Sequence, residues 1–218
     1  MKLEVEKKGF ETQLAIISAQ QEVRNRISAD MHDDLGAGMT SIRLYSELAK
    51  TKLGSPGIPE LDKISTSASE LIDKMNAIIW SMSSTNDSFE NMVAYIRSYS
   101  QKYFEDFPNI KCNITLPSNF PNIEVNGEVR RNIFLVIKEA LHNTVKHANA
   151  TVVNIIMEYN DEGIHLYIHD NGIGINFENN NSFGNGLKNM KKRMKDIGVK
   201  FSIENDNGTL VTLYRKFA

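Results

Sequence analysis

Four polar side chains in the second half of the chain share one face of a predicted helix. Glu139, Asn143, Lys146 and His147 are spaced at i, i+4, i+7 and i+8, so they project from the same side. An amide oxygen and a cation are groups that a metal-bound triphosphate can use. An amphipathic helix with a hydrated face has the same pattern, and this segment alone does not separate the two interpretations.

A carboxylate and two glycines follow directly after a predicted strand. They are Asp170, Gly172 and Gly174 in the run Asp-Asn-Gly-Ile-Gly. A buried carboxylate at this point can accept a hydrogen bond from the amino group of adenine, whereas the carbonyl of guanine would be repelled. The glycines would let the backbone approach the base. Asp-Asn-Gly is also common turn chemistry, so a tight turn is the alternative.

A third pattern, Gly184-Asn185-Gly186-Leu187, opens a predicted helix. Free N–H groups at a helix N-terminus suit a phosphate, although a single Gly-x-Gly is weak by itself.

His32 is the candidate nucleophile of the first half. It lies roughly 100–120° from the centre of the apolar stripe of its predicted helix, so it points outward. A neutral imidazole can attack a phosphoryl group, and a neighbouring carboxylate, Asp33 or Asp34, can orient it or accept its proton. A surface histidine beside acids is most often only solvated, so this signal is weak on its own. The stripe consists of Val23, Ile27, Leu35, Ile42 and Tyr45.

The elements that must position His32 are two long helices. The helix breakers of residues 54–59 separate a helix of about forty residues from a second one. Apolar or small residues of the second helix recur in alternating steps of three and four, as in a bundle seam. One hairpin cannot bury both stripes, so we expect two copies to form a four-helix bundle. The alternative is a long helix folded back on its own C-terminal domain. The seam is Leu61, Ile64, Ala68, Leu71, Met75, Ile78 and Met82.

The second half mixes strands and helices, which predicts an α/β sandwich with helices on one face of a mixed sheet. The whole chain is therefore α+β. We divide it into a coiled-coil stalk (1–20), a dimerisation domain (21–86) and a catalytic domain (89–218), with residues 83–88 as a polar linker. The predicted strands are 111–116, 151–159, 164–170, 199–204 and 209–216, and the predicted helices are 128–147 and 187–197.

Composition excludes several classes of protein. The chain has 218 residues, 41% hydrophobic and 24% charged, with a net charge of -2, which argues against disorder and against a nucleic-acid-coating surface. Cys112 is the one cysteine, so a disulfide framework within the chain is excluded and a reducing compartment is favoured. Because no apolar run has the length of a bilayer span or of a signal-peptide core, we expect a chain that is soluble as given, which is compatible with a soluble piece of a longer protein.

Together, the three nucleotide-type motifs resemble the ATPase and kinase superfamily that includes gyrase, Hsp90, MutL and the histidine kinases. The segment from Ile27 to Gly36 around His32, followed by Trp80, resembles one group in particular. That group is the sensor histidine kinases with a His-Asp acceptor box, relatives of the nitrate and membrane-fluidity sensors. The resemblance also rests on Glu139-Ala-Leu-x-Asn-x-x-Lys-His-Ala and Gly-x-Gly-Leu-x-x-Met-x-x-Arg-Met, and it covers residues from about 20 to 216.

The resemblance implies a role for each matching residue. His32 matches the phospho-acceptor and Asp33 the acid that activates it. Glu139 and Asn143 match the helix that binds Mg²⁺ and ATP, with Asn143 as the metal ligand. The remaining nucleotide-binding positions implied in this way are Lys146 and His147 near the phosphates, Asp170 with Gly172 and Gly174 at adenine, Gly184, Gly186 and Leu187 at the end of a lid spanning 176–185, and Thr209 near adenine.

The resemblance also implies a reaction and its partners. ATP would phosphorylate His32, and the phosphoryl group would pass to an aspartate of a response regulator that drives a DNA-binding output. The chain itself would bind no nucleic acid; it would be a cytoplasmic homodimer, connected to a membrane only through a sensor region outside this sequence. Ala37 replaces the glutamine that usually follows the histidine by five residues, so slow dephosphorylation of the regulator is expected. The rival interpretations are a non-catalytic ATP-binding scaffold and a superfamily ATPase or serine kinase.

Overall fold

The computed structural model describes two compact units, residues 1–86 and residues 87–218. The residues that it describes are 2–53, 58–83, 87–117, 119–120, 122–160, 162–176 and 185–216. Within these ranges no helix combines the length and the apolar character that crossing a membrane requires.

The first unit is a helical hairpin, as the sequence predicted. Its elements are α1 (Lys2–Asp30), a π-helical segment (Met31–Gly36), α2 (Ala37–Leu53) and α3 (Pro59–Met82). Helical residues run without interruption from Lys2 to Leu53, so this helix is longer than predicted, and the π-helical segment in it was not predicted. The proline at the start of α3 suits a first helical position, where its missing N–H has no partner to lose. Most of the predicted break, residues 54–57, lies outside the described residues.

Polar pairs join α2 to α3 next to the hairpin connection. The Ser65 hydroxyl donates to Glu47 Oε1 at 2.5 Å, and Lys50 Nζ lies 2.7 Å from Asp62 Oδ1. The hydrogen bond from Ser65 lowers the pKa of the Glu47 carboxyl, and the bond to Asp62 raises the pKa of the Lys50 ammonium. These contacts fix which turns of the two helices face each other.

The hairpin covers only part of its apolar surface. On α3, Ala68 and Met75 are buried, whereas Ile64 and Leu71 remain 44% and 48% exposed. The stripe of the long helix is uncovered as well. Its five members, Val23, Ile27, Leu35, Ile42 and Tyr45, are all exposed.

The second unit is an α/β sandwich, which confirms the predicted fold class. The sheet has the order β1-β2-β3-β5-β4, with β1 and β2 parallel and the other pairs antiparallel. Each predicted element is present with ends within two residues. The elements are α4 (Phe89–Glu105), β1 (Lys111–Thr115), α5 (Gly127–His147), β2 (Val152–Asn160), β3 (Gly163–Asp170), α6 (Asn185–Asp196), β4 (Lys200–Asn205) and β5 (Thr209–Lys216).

Helix α4 was not predicted, although its sequence carries a helical signal. Phe89, Met92, Val93 and Ile96 recur at helical spacing and are all buried. Ser88 caps the helix by accepting a hydrogen bond from the N–H of Asn91 at 3.1 Å. Ser88 and Asp87, which the sequence analysis assigned to the linker, therefore lie in the second unit.

Strand alternation directs one face of the sheet toward the helices. Ile155 of β2 and Ile168 of β3 are register partners, and both are buried. Val136, Ile137 and Leu141 of α5 are 0% exposed, so α5 is the central helix of the core. Two residues beyond Ile168, Asp170 points to the same helix-covered side.

Cys112 on β1 supplies a pH test of this packing. Burial raises the pKa of its thiol to about 11, so the folded chain keeps the unreactive thiol form until the pH approaches that value. At pH 9 we expect iodoacetamide to modify Cys112 on the order of fiftyfold more slowly in the native chain than in urea. Mass spectrometry of timed samples measures both rates, and Cys112→Ser provides the blank. Equal rates in the two states would contradict the half-buried position of Cys112.

Candidate functional site

Helix α5 presents its predicted polar face to a cavity of about 450 Å³. Glu139, Asn143, Lys146 and His147 all line it, so the spacing of these four residues correctly predicted a shared surface. Glu139 and Asn143 are half-buried, whereas Lys146 and His147 are exposed. One end of the cavity is therefore enclosed and polar, and the cationic end is open to water.

Most of the lining contributed by the sheet, the turn after β3 and α6 is apolar. A flat aromatic ligand can be held between such side chains, and the volume lies within the usual range for small-molecule sites. Apart from Leu187, the sequence analysis did not assign these residues, because their apolar character is indistinguishable from that of a core. The apolar lining consists of Ala140, Ala148, Ile168, Ile173, Ile175, Leu187, Met190, Ile203 and Val211.

Asp170 lies in the cavity wall with only 5% of its surface exposed. Its Oδ1 atom accepts two backbone hydrogen bonds, from Gly172 N–H at 2.9 Å and from Thr209 N–H at 3.1 Å. Its Oδ2 atom lies 3.3 Å from the hydroxyl oxygen of Thr144. Two fixed donors on Oδ1 hold the orientation of the carboxylate, and Oδ2 retains capacity for a further donor.

Thr144 is a site residue that the sequence analysis missed. It is buried in α5, and its hydroxyl also lies 3.2 Å from the carbonyl oxygen of Ala140, so its hydrogen is shared between two acceptors. A threonine one residue after Asn143 gives no sequence signal of this contact. Thr209, which the resemblance placed near adenine, does line the cavity, and it holds Asp170 through its backbone N–H.

Gly172 and Gly174 have different physical roles. A Cβ on Gly172 would overlap the carbonyl oxygen of Ala148, so this glycine allows the turn to pack against the end of α5. Gly172 is absent from the cavity lining, which differs from the expectation that both glycines let backbone approach a base. Gly174 does line the cavity and has φ +73°, a conformation that favours glycine.

Asn205 supports the same turn from the β4–β5 hairpin. Its Oδ1 accepts from Ile175 N–H at 2.7 Å and its Nδ2 donates to Ile175 carbonyl oxygen at 2.8 Å. This pair of bonds fixes the backbone where the cavity wall continues to Asn176. The sequence analysis assigned Asn205 only to a hairpin turn.

Of the two glycines predicted at the start of α6, Gly186 lies among the described residues. Gly186 and Leu187 line the cavity, and a Cβ on Gly186 would overlap Oε1 of Glu139. The first turn of α6 thus packs directly on the Glu139 side chain, and a side chain at position 186 would displace the Glu139 carboxylate. Gly184 and residues 177–184 of the predicted lid lie outside the described residues.

His32 occupies the π-helical segment of the first unit. Its Nδ1 atom lies 3.1 Å from Asp33 Oδ1, and the two side chains are 69% and 79% exposed. The outward direction expected from the helical wheel is confirmed, although the local helix is not α-helical. A groove beside the pair is lined by Asn25, Ser28, Ala29, Ile79 and Ser83 of the same unit.

No group of three or more His, Cys, Asp or Glu side chains suited to a metal occurs among the residues that the structure describes. A metal held by one amide oxygen and by ligand phosphates needs no such cluster. Asn143 is the half-buried amide of the cavity that fits this donor set.

Comparison with known families matches both units. Residues 23–87 match the family described as "Histidine kinase", and residues 128–218 match "Histidine kinase-, DNA gyrase B-, and HSP90-like ATPase". These two ranges fall in the helical hairpin and in the sandwich, respectively.

Named relatives are similar over most of the chain. The oxygen sensor histidine kinase NreB of Staphylococcus carnosus is 26% identical over 211 residues, which are 90% of this chain and 57% of NreB. The sensor protein VraS of Staphylococcus aureus is 25% identical over 204 residues, 88% of this chain and 54% of VraS. The chain thus spans about half the length of these relatives.

Solved structures share the fold. The histidine kinase domain of the blue-light activated histidine kinase EL346 of Erythrobacter litoralis has a TM-score of 0.55 and 18% identity, covering 90% of this chain and 93% of that one. The Acinetobacter baumannii histidine kinase AdeS has a TM-score of 0.51 and 16% identity, covering 82% of this chain and 94% of its own.

Proposed function

Because the chain belongs to the sensor histidine kinases, with a helical histidine-kinase domain followed by an ATPase domain, we propose that it transfers the terminal phosphoryl group of ATP to His32. The observation that carries this proposal is the hydrogen bond between His32 Nδ1 and Asp33 on an otherwise exposed helix. The proposal continues with transfer from His32 to an aspartate of a response regulator.

The Asp33 contact favours one nitrogen of His32 as the nucleophile. When Nδ1–H donates to the carboxylate, the neutral ring carries its lone pair on Nε2. Nε2 attacks the γ-phosphorus, the bond to the ADP oxygen breaks, and ADP leaves. The ring then gains positive charge, which the Asp33 carboxylate stabilises or removes by accepting the Nδ1 proton.

The cavity of the second unit supports ATP as the phosphoryl donor. Asp170 Oδ2 would accept a hydrogen bond from the adenine amino group, between the apolar walls. Lys146 and His147, at the exposed end of α5, suit the phosphates, as do the free N–H groups at the start of α6. Gly172 would support this site only by shaping the turn.

Mg²⁺ fits the same arrangement through the Asn143 amide oxygen, with ATP phosphates supplying further oxygen ligands. When bound, the ion neutralises negative charge that develops on the phosphates. Glu139, adjacent in the cavity and held against Gly186, is positioned to orient a hydrogen-bond donor near the phosphates.

The uncovered apolar stripes of the first unit support a homodimer. Two hairpins would bury Ile64 and Leu71 together with the stripe of the long helix in a four-helix bundle. A kinase that draws on ATP and a receiver domain works in the cytoplasm, which is the compartment we propose. Ala37 still predicts slow dephosphorylation of the regulator.

The acceptor assignment is tested by His32→Gln, which should abolish Mg²⁺-dependent labelling from γ-labelled ATP while ATP affinity is retained. The two properties separate because they belong to different units. Asp33→Asn should slow labelling by roughly 10²–10⁴-fold, the usual effect of a lost general base. Label that persists on His32→Gln protein would refute the acceptor, and an unchanged Asp33→Asn rate would move the role to Asp34 or water.

The chemical stability of the label distinguishes this function from its rivals. A phosphohistidine is lost in acid and survives base, whereas a phosphoserine survives acid. Acid-stable label would favour a serine kinase, and ATP binding without any label would favour a scaffold.

The adenine contact is tested by Asp170→Asn. The amide oxygen must stay on the side of Gly172 N–H and Thr209 N–H, so the amide nitrogen faces the cavity and meets the adenine amino group donor to donor. We expect a cost of roughly 1–3 kcal/mol, or about 5–150-fold weaker ATP binding, together with weaker discrimination against GTP. Calorimetric titration measures both nucleotides. Asp106 is an exposed acid at the end of α4, so Asp106→Asn is the control for the lost charge. Equal ATP affinities of the two variants would mean that Asp170 serves only the turn.

The dimer is tested by Leu71→Glu. This side chain is 48% exposed in a single chain, so a monomeric protein would tolerate the charge, whereas a bundle seam would not. We expect the variant to dissociate or to lose solubility at micromolar concentration, as measured by light scattering coupled to size exclusion. Thr66→Glu adds the same charge on a different face of α3 and should remain dimeric. A folded monomer for the unmodified chain would refute the bundle.

A further inference from the structure

A buried cation lies outside the nucleotide cavity. The Arg130 side chain is 0% exposed, in the first turn of α5, where it contacts the Asp87 carboxylate and donates to the carbonyl oxygen of Val125 at 2.9 Å. A buried charge is costly, and a cation is disfavoured at the positive end of a helix dipole. None of these three residues lines the cavity, so the proposed nucleotide site does not explain the arginine.

Asp87 marks the point at which the polypeptide joins the second unit. Its carbonyl oxygen accepts from Val125 N–H at 3.1 Å, and Phe89 N–H donates to Ile123 carbonyl oxygen at 3.0 Å. Between these bonds, Ser88 and Glu124 form an isolated antiparallel bridge. Phe89, the residue after Ser88, is 0% exposed and packs in the core of the second unit.

Stability is a poor explanation for the Asp87–Arg130 pair. Replacing a buried ion pair by apolar residues of similar volume is often neutral or stabilising, so such pairs serve conformational specificity in some proteins. The bridge has two backbone hydrogen bonds, and among the described residues it belongs to no strand. The Arg130 side chain contacts the carboxylate of Asp87, the residue directly before the bridge.

We propose that the Asp87–Arg130 ion pair fixes where the linker ends, and that both are positioning residues for phosphoryl transfer to His32. This inference rests on the proposed function. With the pair formed, the tether from Ser83 at the end of α3 to the anchored Asp87 is four Cα-to-Cα steps long, a reach of at most about 14 Å. With the pair released, the anchor moves to Phe89, and a tether of six steps reaches at most about 21 Å.

A longer tether lowers the effective concentration of bound ATP around the histidine. The fall follows the −3/2 power of tether length or, for a freely explored volume, the cube of the reach, so we expect roughly two- to threefold slower transfer. ATP affinity should not change, because the cavity is formed by other residues.

The test uses the double variant Asp87→Asn with Arg130→Met, which leaves no buried charge without a partner. Asp106→Asn with Arg131→Met is the matched control, because both of its residues are exposed. At saturating ATP, the double variant should phosphorylate His32 two- to threefold more slowly than the control, with an ATP dissociation constant within twofold of it. An equal rate, or weakened ATP binding, would overturn the inference.

Linker length provides a rescue that a purely structural role would not give. Deleting Ser84 and Thr85 from the double variant returns the tether to four Cα-to-Cα steps and should restore the rate. The same deletion in the unmodified chain leaves two steps and should slow transfer. Failure of the rescue would overturn the tether explanation.

Hydrogen exchange tests the anchor without using kinase activity. In the double variant the amides of Val125 and Phe89 should exchange faster, whereas the Val129 amide, which donates to the Asn126 side chain at 2.9 Å, should not change. Unchanged protection at Val125 and Phe89 would overturn the inference. An unmodified chain that labels no histidine would instead refute the proposed function, while the exchange result would still decide whether the pair anchors the linker.

Discussion

The buried carboxylate of Asp170 is the constraint on which the proposed nucleotide site depends. Its two oxygens receive hydrogen bonds from the glycine turn, from the start of β5 and from α5. A carboxylate with 5% exposure would be costly without these donors. The end of β3 is therefore tied to α5, to β5 and to the turn that follows it, which positions the cavity lining of the sheet against the polar face of α5.

Glycine at two positions lets elements around the cavity pack closely. Gly172 lets the turn pack against Ala148 at the end of α5, and Gly186 lets the start of α6 pack against Glu139. The chain thus uses glycine mainly to bring its own elements together around the cavity. Asn205 completes the enclosure by holding the backbone of Ile175 through two hydrogen bonds.

The proposed nucleophile has the opposite environment. His32 and Asp33 are exposed on a helix, and neither is held by a surrounding network of the kind that fixes Asp170. The chemistry proposed for the two units therefore places a preformed nucleotide cavity on one and an accessible imidazole on the other. In such an arrangement, the rate of transfer depends on how often bound ATP and the imidazole meet in a reactive geometry. A signal can therefore change the rate by changing that frequency. A buried ion pair at the end of the linker acts on that same quantity.

The sequence by itself determined most of the elements and the polar face of α5 that lines the site. Periodicity located α5 and its face of Glu139, Asn143, Lys146 and His147, because side chains on one helix share a face whatever packs around it. It likewise located the five strands, and it could have located α4 from the spacing of Phe89, Met92, Val93 and Ile96. The outward direction of His32 followed from the same rule.

Only the tertiary structure decided which residues meet across the chain. Thr144 reaches Asp170, Asn205 reaches Ile175, and Arg130 reaches Asp87, and these pairs are separated by 26, 30 and 43 residues. No local pattern encodes such contacts, because each depends on how whole elements pack. The π-helical turn at His32 was beyond prediction for a related reason: it changes the hydrogen-bond step without a break in helical residues. The sequence determined which side chains each element presents, and the packing of the elements decided which partner each polar side chain contacts.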